Sequence, residues 1–180
     1  RGAAGVGILT AGVVCGGDLG SVTDTSLEYD GTNYTSGGTM ATARSGAGGS
    51  GLLAAGLVFG GYEPAASDNT EEYNGTSWTN GGDMLAPTIS FGGSSAGTQS
   101  SSMGFGGSPY LATTTGYDGT AWSTRPSLGT GVAKLGGFGT GTAAVAFGGR
   151  TPPTGSTGTT ATEQFTGETS TANYETITTS

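Results

Sequence analysis

The acidic side chains are the groups in this sequence that could do chemistry. Glycoside hydrolysis needs only two carboxylates at a suitable separation, and the chain carries 13 aspartate and glutamate residues. Glu28, Glu72 and Glu163 appear at one position of an internal repeat, and Asp30 and Asp118 at the turn that follows it. Such recurrence indicates a structural role in hairpins, so we predict that the chain is not an enzyme. A carbohydrate-active enzyme remains an alternative.

The residue types that are missing remove other reactions. The chain has no histidine, which excludes His-based catalytic triads, most zinc sites and histidine-ligated copper. No glycine-rich segment ends in the Gly-Lys-Ser/Thr of a phosphate-binding loop, and no calcium-loop spacing is present. We therefore expect no cofactor and no metal ion.

Charge restricts the partners. The net charge of −8 repels phosphate backbones and anionic lipid surfaces. The longest apolar stretches are far shorter than the ~20 residues that a membrane-spanning helix needs. Nucleic acid and membrane insertion are therefore not expected. The single cysteine, Cys15, cannot form an internal disulfide, and its apolar flanks predict a buried filler of the core.

An internal repeat of about 44 residues organises the chain. Its clearest phrase is an aromatic residue, an Asp-Gly or Asn-Gly pair, and a second aromatic residue. A second landmark, an apolar run closed by two glycines, precedes each phrase. The phrases are residues 27–35, 71–79 and 115–123, with a degenerate copy at 163–170, and the glycine pairs are 16–17, 60–61, 106–107 and 148–149.

The segments of each repeat are predicted to be strands. Glycine costs ~1 kcal/mol at each helix-interior position relative to alanine, and the chain holds 39 glycines. Asp30-Gly31, Asn74-Gly75 and Asp118-Gly119 lie between strand-like runs, which is a strong hairpin signal because both central residues of a two-residue turn need positive φ. The fold class is thus all-β: a β-propeller of four four-stranded blades, either a closed four-blade ring or part of a larger propeller.

Small and aromatic residues predict how the blades pack. Glycines allow the crowded inner strands to approach, and the Tyr/Trp pair of each repeat fills the wedge between neighbouring blades. We divide residues 1–180, one propeller domain, into repeats 1–40, 41–84, 85–128 and 129–180.

The repeat resembles the kelch family, with a diglycine after an apolar strand, then a tyrosine, then a tryptophan. The tyrosine position holds Tyr29, Tyr73, Tyr117 and, altered, Phe165; the tryptophan position holds Tyr34, Trp78, Trp122 and, in an atypical last strand, Ser170. The resemblance implies the propeller fold. Phrases such as EEYNGTSWTNGGDM are similar to kelch-like repeats of bacteriophages, notably marine cyanophages. Because Arg1 falls just inside a repeat, we expect the natural polypeptide to extend upstream.

The loops after the glycine pairs differ most between repeats, and variable loops on a regular scaffold commonly carry binding specificity. From these loops we predict Tyr62, Glu63, Tyr110 and Arg150 as contact residues. The expected function is that of a structural and binding module, a bacteriophage virion appendage or tail fibre. Expected partners are other virion subunits, further copies of the chain as a homo-oligomer, and cell-surface glycan, and the expected location is the virion or extracellular space. A stand-alone kelch protein-interaction module is the other alternative.

Overall fold

The computed structural model describes residues 2–89, 96–152 and 158–166. The regular secondary structure in these residues consists of β-strands. The strands form four antiparallel sheets in chain order. Sheet 1 contains β1 (Ala4–Ile8), β2 (Ala11–Cys15), β3 (Ser26–Tyr29) and β4 (Tyr34–Ser36). Sheet 2 contains β5 (Gly48–Leu52), β6 (Ala55–Phe59), β7 (Thr70–Tyr73) and β8 (Trp78–Asn80).

Sheet 3 contains β9 (Ala96–Thr98), β10 (Ser101–Phe105), β11 (Thr114–Tyr117) and β12 (Trp122–Arg125). The described part of sheet 4 contains β13 (Gly136–Gly139), β14 (Ala143–Phe147) and β15 (Thr162–Thr166). Ser170, predicted for the last strand, lies outside the described residues. Each strand pairs with the next one along the chain within its sheet.

The sheets are arranged as the blades of a propeller, which confirms the predicted fold class. The first strand of each sheet is the inner one: β1 packs beside β5, β5 beside β9, and β9 beside β13. Among the described strands, β1 and β13 make at most a marginal contact with one another. Sheet-to-sheet contact therefore runs from 1 to 2, 2 to 3 and 3 to 4.

The two ends of the sheets carry different connections. We call the end that bears the glycine pairs the loop end and the opposite end the turn end. The hairpins that follow β3, β7 and β11 lie at the turn end, close to the preceding β1–β2, β5–β6 and β9–β10 turns, as the approach of Gly31 to Thr10 illustrates. All the variable loops therefore leave the scaffold at one end.

The hairpins are confirmed, but the predicted two-residue turn is wrong. Tyr29 pairs with Tyr34, so the loop is four residues long, and within it only Gly31 has a positive φ, of 95°. Asp30 Oδ1 instead accepts hydrogen bonds from the amides of Thr32 (2.8 Å) and Asn33 (2.7 Å). These backbone donors hold the pKa of the Asp30 carboxyl below its ordinary value. Asn74 and Asp118 cap their loops in the same way.

The glycine pairs connect neighbouring sheets. Gly17 donates its amide to the carbonyl of Arg44 at 2.8 Å, and Gly61 and Gly107 make the equivalent bonds to Thr88 and Val132. Gly16, at φ 64°, lies so close that a Cβ would stand 2.5 Å from the Arg44 carbonyl oxygen. Only glycine satisfies both the left-handed backbone and the close approach.

The core is divided among the three sheet contacts. Each sheet packs one face, which we call the forward face, on the rear face of the next. Between sheets 1 and 2, forward residues Val13 and Cys15 meet rear residues Val58, Tyr73 and Trp78. Sheets 2 and 3 bury Leu57, Phe59, Met84, Tyr117 and Trp122, and sheets 3 and 4 bury Met103, Phe105, Leu128, Val132, Leu135, Ala144, Ala146 and Phe165.

Two packing predictions are confirmed at these contacts. The rings of Tyr73 and Trp78 lie 4.6 Å apart within the wedge between sheets, and those of Tyr117 and Trp122 lie 5.1 Å apart in the next one. Cys15 is buried in the core, and this burial raises the pKa of its thiol to about 12. The cysteine is therefore a filler of the interior with little thiolate character.

Candidate functional site

Tyrosine and glutamate side chains join neighbouring sheets. Tyr117 in sheet 3 donates its hydroxyl to Glu72 Oε1 in sheet 2 at 2.7 Å, and the amide of Gly82 donates to the same hydroxyl at 3.4 Å. Burial, with the bond to Glu72 as the second cause, raises the pKa of Tyr117 to about 12. Tyr73 makes the same bond to Glu28 one repeat earlier, and its pKa is raised for the same reasons.

Both partners of this bond change together in the third contact. The register places Gly116 of sheet 3 at the position of Glu28 and Glu72. It places Phe165 of sheet 4 at the position of Tyr73 and Tyr117. The carboxylate and the hydroxyl are thus lost together, so neither is left without the other as its hydrogen-bond partner. The residue types at these two positions therefore correspond across the sheet contact, although the residues belong to different sheets.

A second carboxylate, Glu71, is part of a buried ion pair. Its Oε1 lies 2.5 Å from Nη2 of Arg44, and both side chains are only 1% exposed. The amides of Ala41 and Thr42 donate to Glu71 at 2.7 and 3.3 Å. Arg44 Nη1 also donates to the carbonyls of Gly60 (3.2 Å) and Asn69 (2.9 Å). These bonds compensate the desolvation of both charges and join sheet 2 to the segment that precedes it.

The predicted equivalence of Glu163 with Glu28 and Glu72 is wrong. Glu163 pairs with Ala146 in the sheet 4 register, as Glu71 pairs with Val58 in sheet 2, so Glu163 corresponds to Glu71. Its Oε2 accepts a hydrogen bond from the amide of Gly129 at 2.7 Å, as Glu71 does from Ala41. The structural duty of these carboxylates is to connect sheets, whereas the turn aspartates act within hairpins. Among the described residues, no three acidic or cysteine side chains form a metal-binding group.

The loop end holds the predicted contact residues. Tyr62 and Arg150 directly follow the glycine pairs of sheets 2 and 4, and their backbones make the same bridge, Tyr62 to Ser45 and Arg150 to Ala133. The side chain of Tyr62 is 44% exposed, and Arg150 is also exposed. Leu19, which was not predicted, is 93% exposed in the equivalent loop of sheet 1. Its place in a variable loop was the available signal.

Glu63 and Tyr110 are less open. Asn69 Nδ2 donates to the Glu63 carboxylate at 3.1 Å, and the guanidinium of Arg44 lies 3.9 Å from it. These contacts make Glu63 a brace of its own loop, and its side chain is 18% exposed. Tyr110 is half-buried in the loop after Gly107. The structure therefore places all four predicted residues at one end but in three separate loops.

A cleft on the rear face of sheet 1 is a second candidate surface. Its volume is about 300 Å³, and its lining includes Gly5, Gly12, Val14, Tyr29 and Tyr34. The two tyrosine rings lie 4.8 Å apart, but Tyr34 is 61% exposed, whereas Trp78 at the same repeat position is buried. Sequence reasoning treated this pair as a wedge like the others and missed the cleft.

The forward face of sheet 4 is exposed in the same way. Phe138 is 60% exposed and Phe147 is 42% exposed, although Phe59, the counterpart of Phe147 in sheet 2, is fully buried. Their rings lie 5.9 Å apart. The described structure thus presents one uncovered apolar face on its first sheet and one on its fourth.

Comparison of the chain with protein-family models and with curated proteins gave no match. Within the described residues, no helix has the length and apolar character needed to cross a membrane.

Proposed function

We propose that this chain is a non-enzymatic structural and binding module in which the propeller presents variable loops at its loop end. The observation that carries the proposal is that the glutamate side chains are engaged in structural hydrogen bonds. Glu28 and Glu72 each accept one from a tyrosine of the next sheet. Glu71 and Glu163 each accept one from a backbone amide in the segment that precedes their own sheet. The sequence differences between repeats, by contrast, are concentrated in the loops after the glycine pairs. In sheets 2 and 4 these loops begin at the same backbone bridge, Tyr62 to Ser45 and Arg150 to Ala133.

The chemistry of the loop end supports recognition of a polar surface. Tyr62 offers an exposed aromatic ring with a hydroxyl, and Arg150 offers a guanidinium at the equivalent place two sheets away. Tyrosine and arginine are enriched at binding interfaces because each combines a broad apolar surface with hydrogen-bonding groups. We propose cell-surface glycan as the ligand and neighbouring virion subunits as structural partners.

Cell binding by purified protein tests the loop-end role. Tyr62→Ala combined with Arg150→Ala is expected to lower retention on host cells about tenfold. Leu9→Ala is the control, because Leu9 is 89% exposed at the turn end. Equal loss in the control, or unchanged retention in the loop-end variant, would remove the loop end from the proposal.

The virion assignment rests on the resemblance to phage kelch-like repeats. If the chain is an appendage or tail fibre, mass spectrometry of purified virions from the encoding phage detects its peptides in stoichiometric amount. Their absence from virions, together with capture of one defined soluble partner, would instead establish a stand-alone interaction module.

A further inference from the structure

We propose that the uncovered faces of sheets 1 and 4 bind one another between two copies of this chain, so that a head-to-tail pair closes a ring of blades. The forward face of sheet 4 in one copy packs on the rear face of sheet 1 in the other, and the contact occurs twice. These are the same two faces that meet at each of the three contacts within the chain.

Residues that meet across the internal contacts match in chemistry. At one position, the forward-face residue is Val6 in sheet 1, which packs in the apolar cluster that contains the rear-face residue Val58 of sheet 2. The register puts Phe138 of sheet 4 at the position of Val6, and Val14 of sheet 1 at the position of Val58. Both are apolar, as at the internal contact.

The hydrogen-bonding positions match as well. Gln164 of sheet 4 takes the place of Glu72, and Tyr29 of sheet 1 takes the place of Tyr117. The Gln164 amide oxygen can accept from the Tyr29 hydroxyl, as the Glu72 carboxylate does from Tyr117. A neutral amide also avoids an extra buried charge at this contact.

A third position follows the same pattern. Trp122 Nε1 donates to Thr70 Oγ1 at 2.9 Å, and Trp78 Nε1 donates to Ser26 Oγ at 3.4 Å. On the uncovered faces, Thr162 has the hydroxyl position and Tyr34 the aromatic position. The Tyr34 hydroxyl supplies the donor that the indole supplies elsewhere.

The cleft on sheet 1 has the shape that this contact needs. On sheet 2, Val6 of the preceding sheet fills the space over two glycines: a Cβ on Gly49 would lie 2.9 Å from Val6 Cγ1, and one on Gly56 would lie 3.1 Å from Val6 Cγ2. On sheet 1, a Cβ on Gly5, the counterpart of Gly49, would meet nothing within 4 Å. The larger Phe138 of a second copy fills this cleft of about 300 Å³.

Charge and symmetry permit the pairing. Each chain carries a net charge of −8, but the described strand residues of both uncovered faces include no charged side chain. Within one chain, the described strands β1 and β13 make at most a marginal contact. Two copies together have twice four blades, a number at the upper end of the usual range of blade numbers in propellers. A heterologous contact gives a closed ring when the rotation that relates the two copies returns to its starting point.

Light scattering coupled to size-exclusion chromatography tests the proposal with the full chain. The unaltered protein is expected at twice the chain mass. Val14→Lys and Phe138→Asp, each on an uncovered face, are expected to give folded monomers with an unchanged circular dichroism spectrum. Leu19→Lys is the matched control, because Leu19 lies outside both faces and is more exposed than Val14 or Phe138. This variant is expected to remain dimeric.

Mixing the two monomeric variants provides the sharper result. In the mixed pair, one contact has the natural side chains and the other places the introduced ammonium opposite the introduced carboxylate, so the dimer is expected to return. An unaltered chain that runs as a monomer or as an open polymer would overturn the proposal. So would a mixture that stays monomeric.

Oxidation of the double variant Val14→Cys with Phe138→Cys distinguishes a second copy from closure within one chain. Cys15 stays buried and protonated in the folded protein and does not compete. Disulfide-linked dimers on a non-reducing gel support the proposal. An internal disulfide in chains of monomer mass would show that sheets 1 and 4 of one chain meet, which contradicts it.

Discussion

The hydroxyl of Tyr117 donates to the carboxylate of Glu72 across the contact between sheets 3 and 2, at 2.7 Å. The same bond joins Tyr73 to Glu28 one repeat earlier. Because the residues of each pair come from successive repeats, the bond connects blades and not strands of one blade. Between sheets 2 and 3 it is one of several polar links in a largely apolar contact, together with the bonds between Ser50 and Ser102 and between Trp122 and Thr70.

Removing the Tyr117 hydroxyl is expected to destabilise the protein. Tyr117→Phe strands a carboxylate at the contact and should lower the free energy of unfolding by about 1–2 kcal/mol. A double-mutant cycle with Glu72→Gln, followed by urea denaturation, should show coupling of about 1 kcal/mol. The control is Tyr62→Phe at the loop end, which should change stability by less than about 0.5 kcal/mol. Additive effects of the Tyr117 and Glu72 changes would refute the link.

Burial of Tyr117, together with its bond to Glu72, makes stability depend on pH in the alkaline range. The folded pKa of Tyr117, about 12, lies above its ordinary value of 10, so folding favours the protonated phenol. This contribution is complete below pH 10 and disappears as the pH rises from 10 toward 12. Tyrosinate absorbance during a pH titration should show late-ionising tyrosines, and Tyr117→Phe should remove one of them. Ionisation of every tyrosine near pH 10 in the folded protein would contradict the assignment.

Breaking the buried pair of Arg44 and Glu71 is expected to cost more. Arg44→Met leaves the Glu71 carboxylate without its counter-ion and should lower the free energy of unfolding by about 3–5 kcal/mol. The double variant Arg44→Met with Glu71→Leu should recover much of this loss, because sheet 1 already carries Leu27 at the corresponding position. Denaturant midpoints measure both. A single variant as stable as the parent would mean that the pair is not buried.

Two threonines at equivalent positions should respond differently to the same change. Thr70 Oγ1 accepts from Trp122 Nε1, whereas Thr114 Oγ1 is buried without a hydrogen-bond partner among the described residues. Thr70→Val should therefore cost about 1–3 kcal/mol, since it strands the indole, and Thr114→Val should be neutral or stabilising. Thermal unfolding of the two variants, compared directly, checks the order. Equal costs would show that the indole bond contributes nothing.

The sequence predicts the blades well because their signals are local. The Asp-Gly and Asn-Gly pairs, the glycine pairs and the spaced tyrosines each depend on a few neighbouring residues. Turn length was harder to predict. A four-residue loop with one left-handed glycine and a capping Asp30 contains the same Asp-Gly pair as a two-residue turn.

Contacts between blades could not be predicted in detail. Assigning Glu163 to the position of Glu72 was an error of one residue, and such a shift moves a side chain to the opposite face of the sheet. The pairing of Arg44 with Glu71 is not revealed by comparing the repeats, because Thr88 and Val132 take the place of Arg44 in the next two repeats. The exposure of Tyr34 depends on whether a neighbouring blade covers sheet 1, which the repeat pattern alone does not say.

An engineered disulfide between sheets 2 and 3 tests the stacked arrangement of repeats most directly. Ser50 and Ser102 face one another across this contact with their oxygens 2.7 Å apart, whereas the side chain of Ser101 points to the opposite face of β10. In a Cys15→Ala background, Ser50→Cys with Ser102→Cys should form one internal disulfide, seen as a loss of both free thiols at monomer mass. Ser50→Cys with Ser101→Cys should keep its thiols free. Thiols that stay reduced in the first variant, or bonds that form equally in both, would contradict the propeller of matched blades.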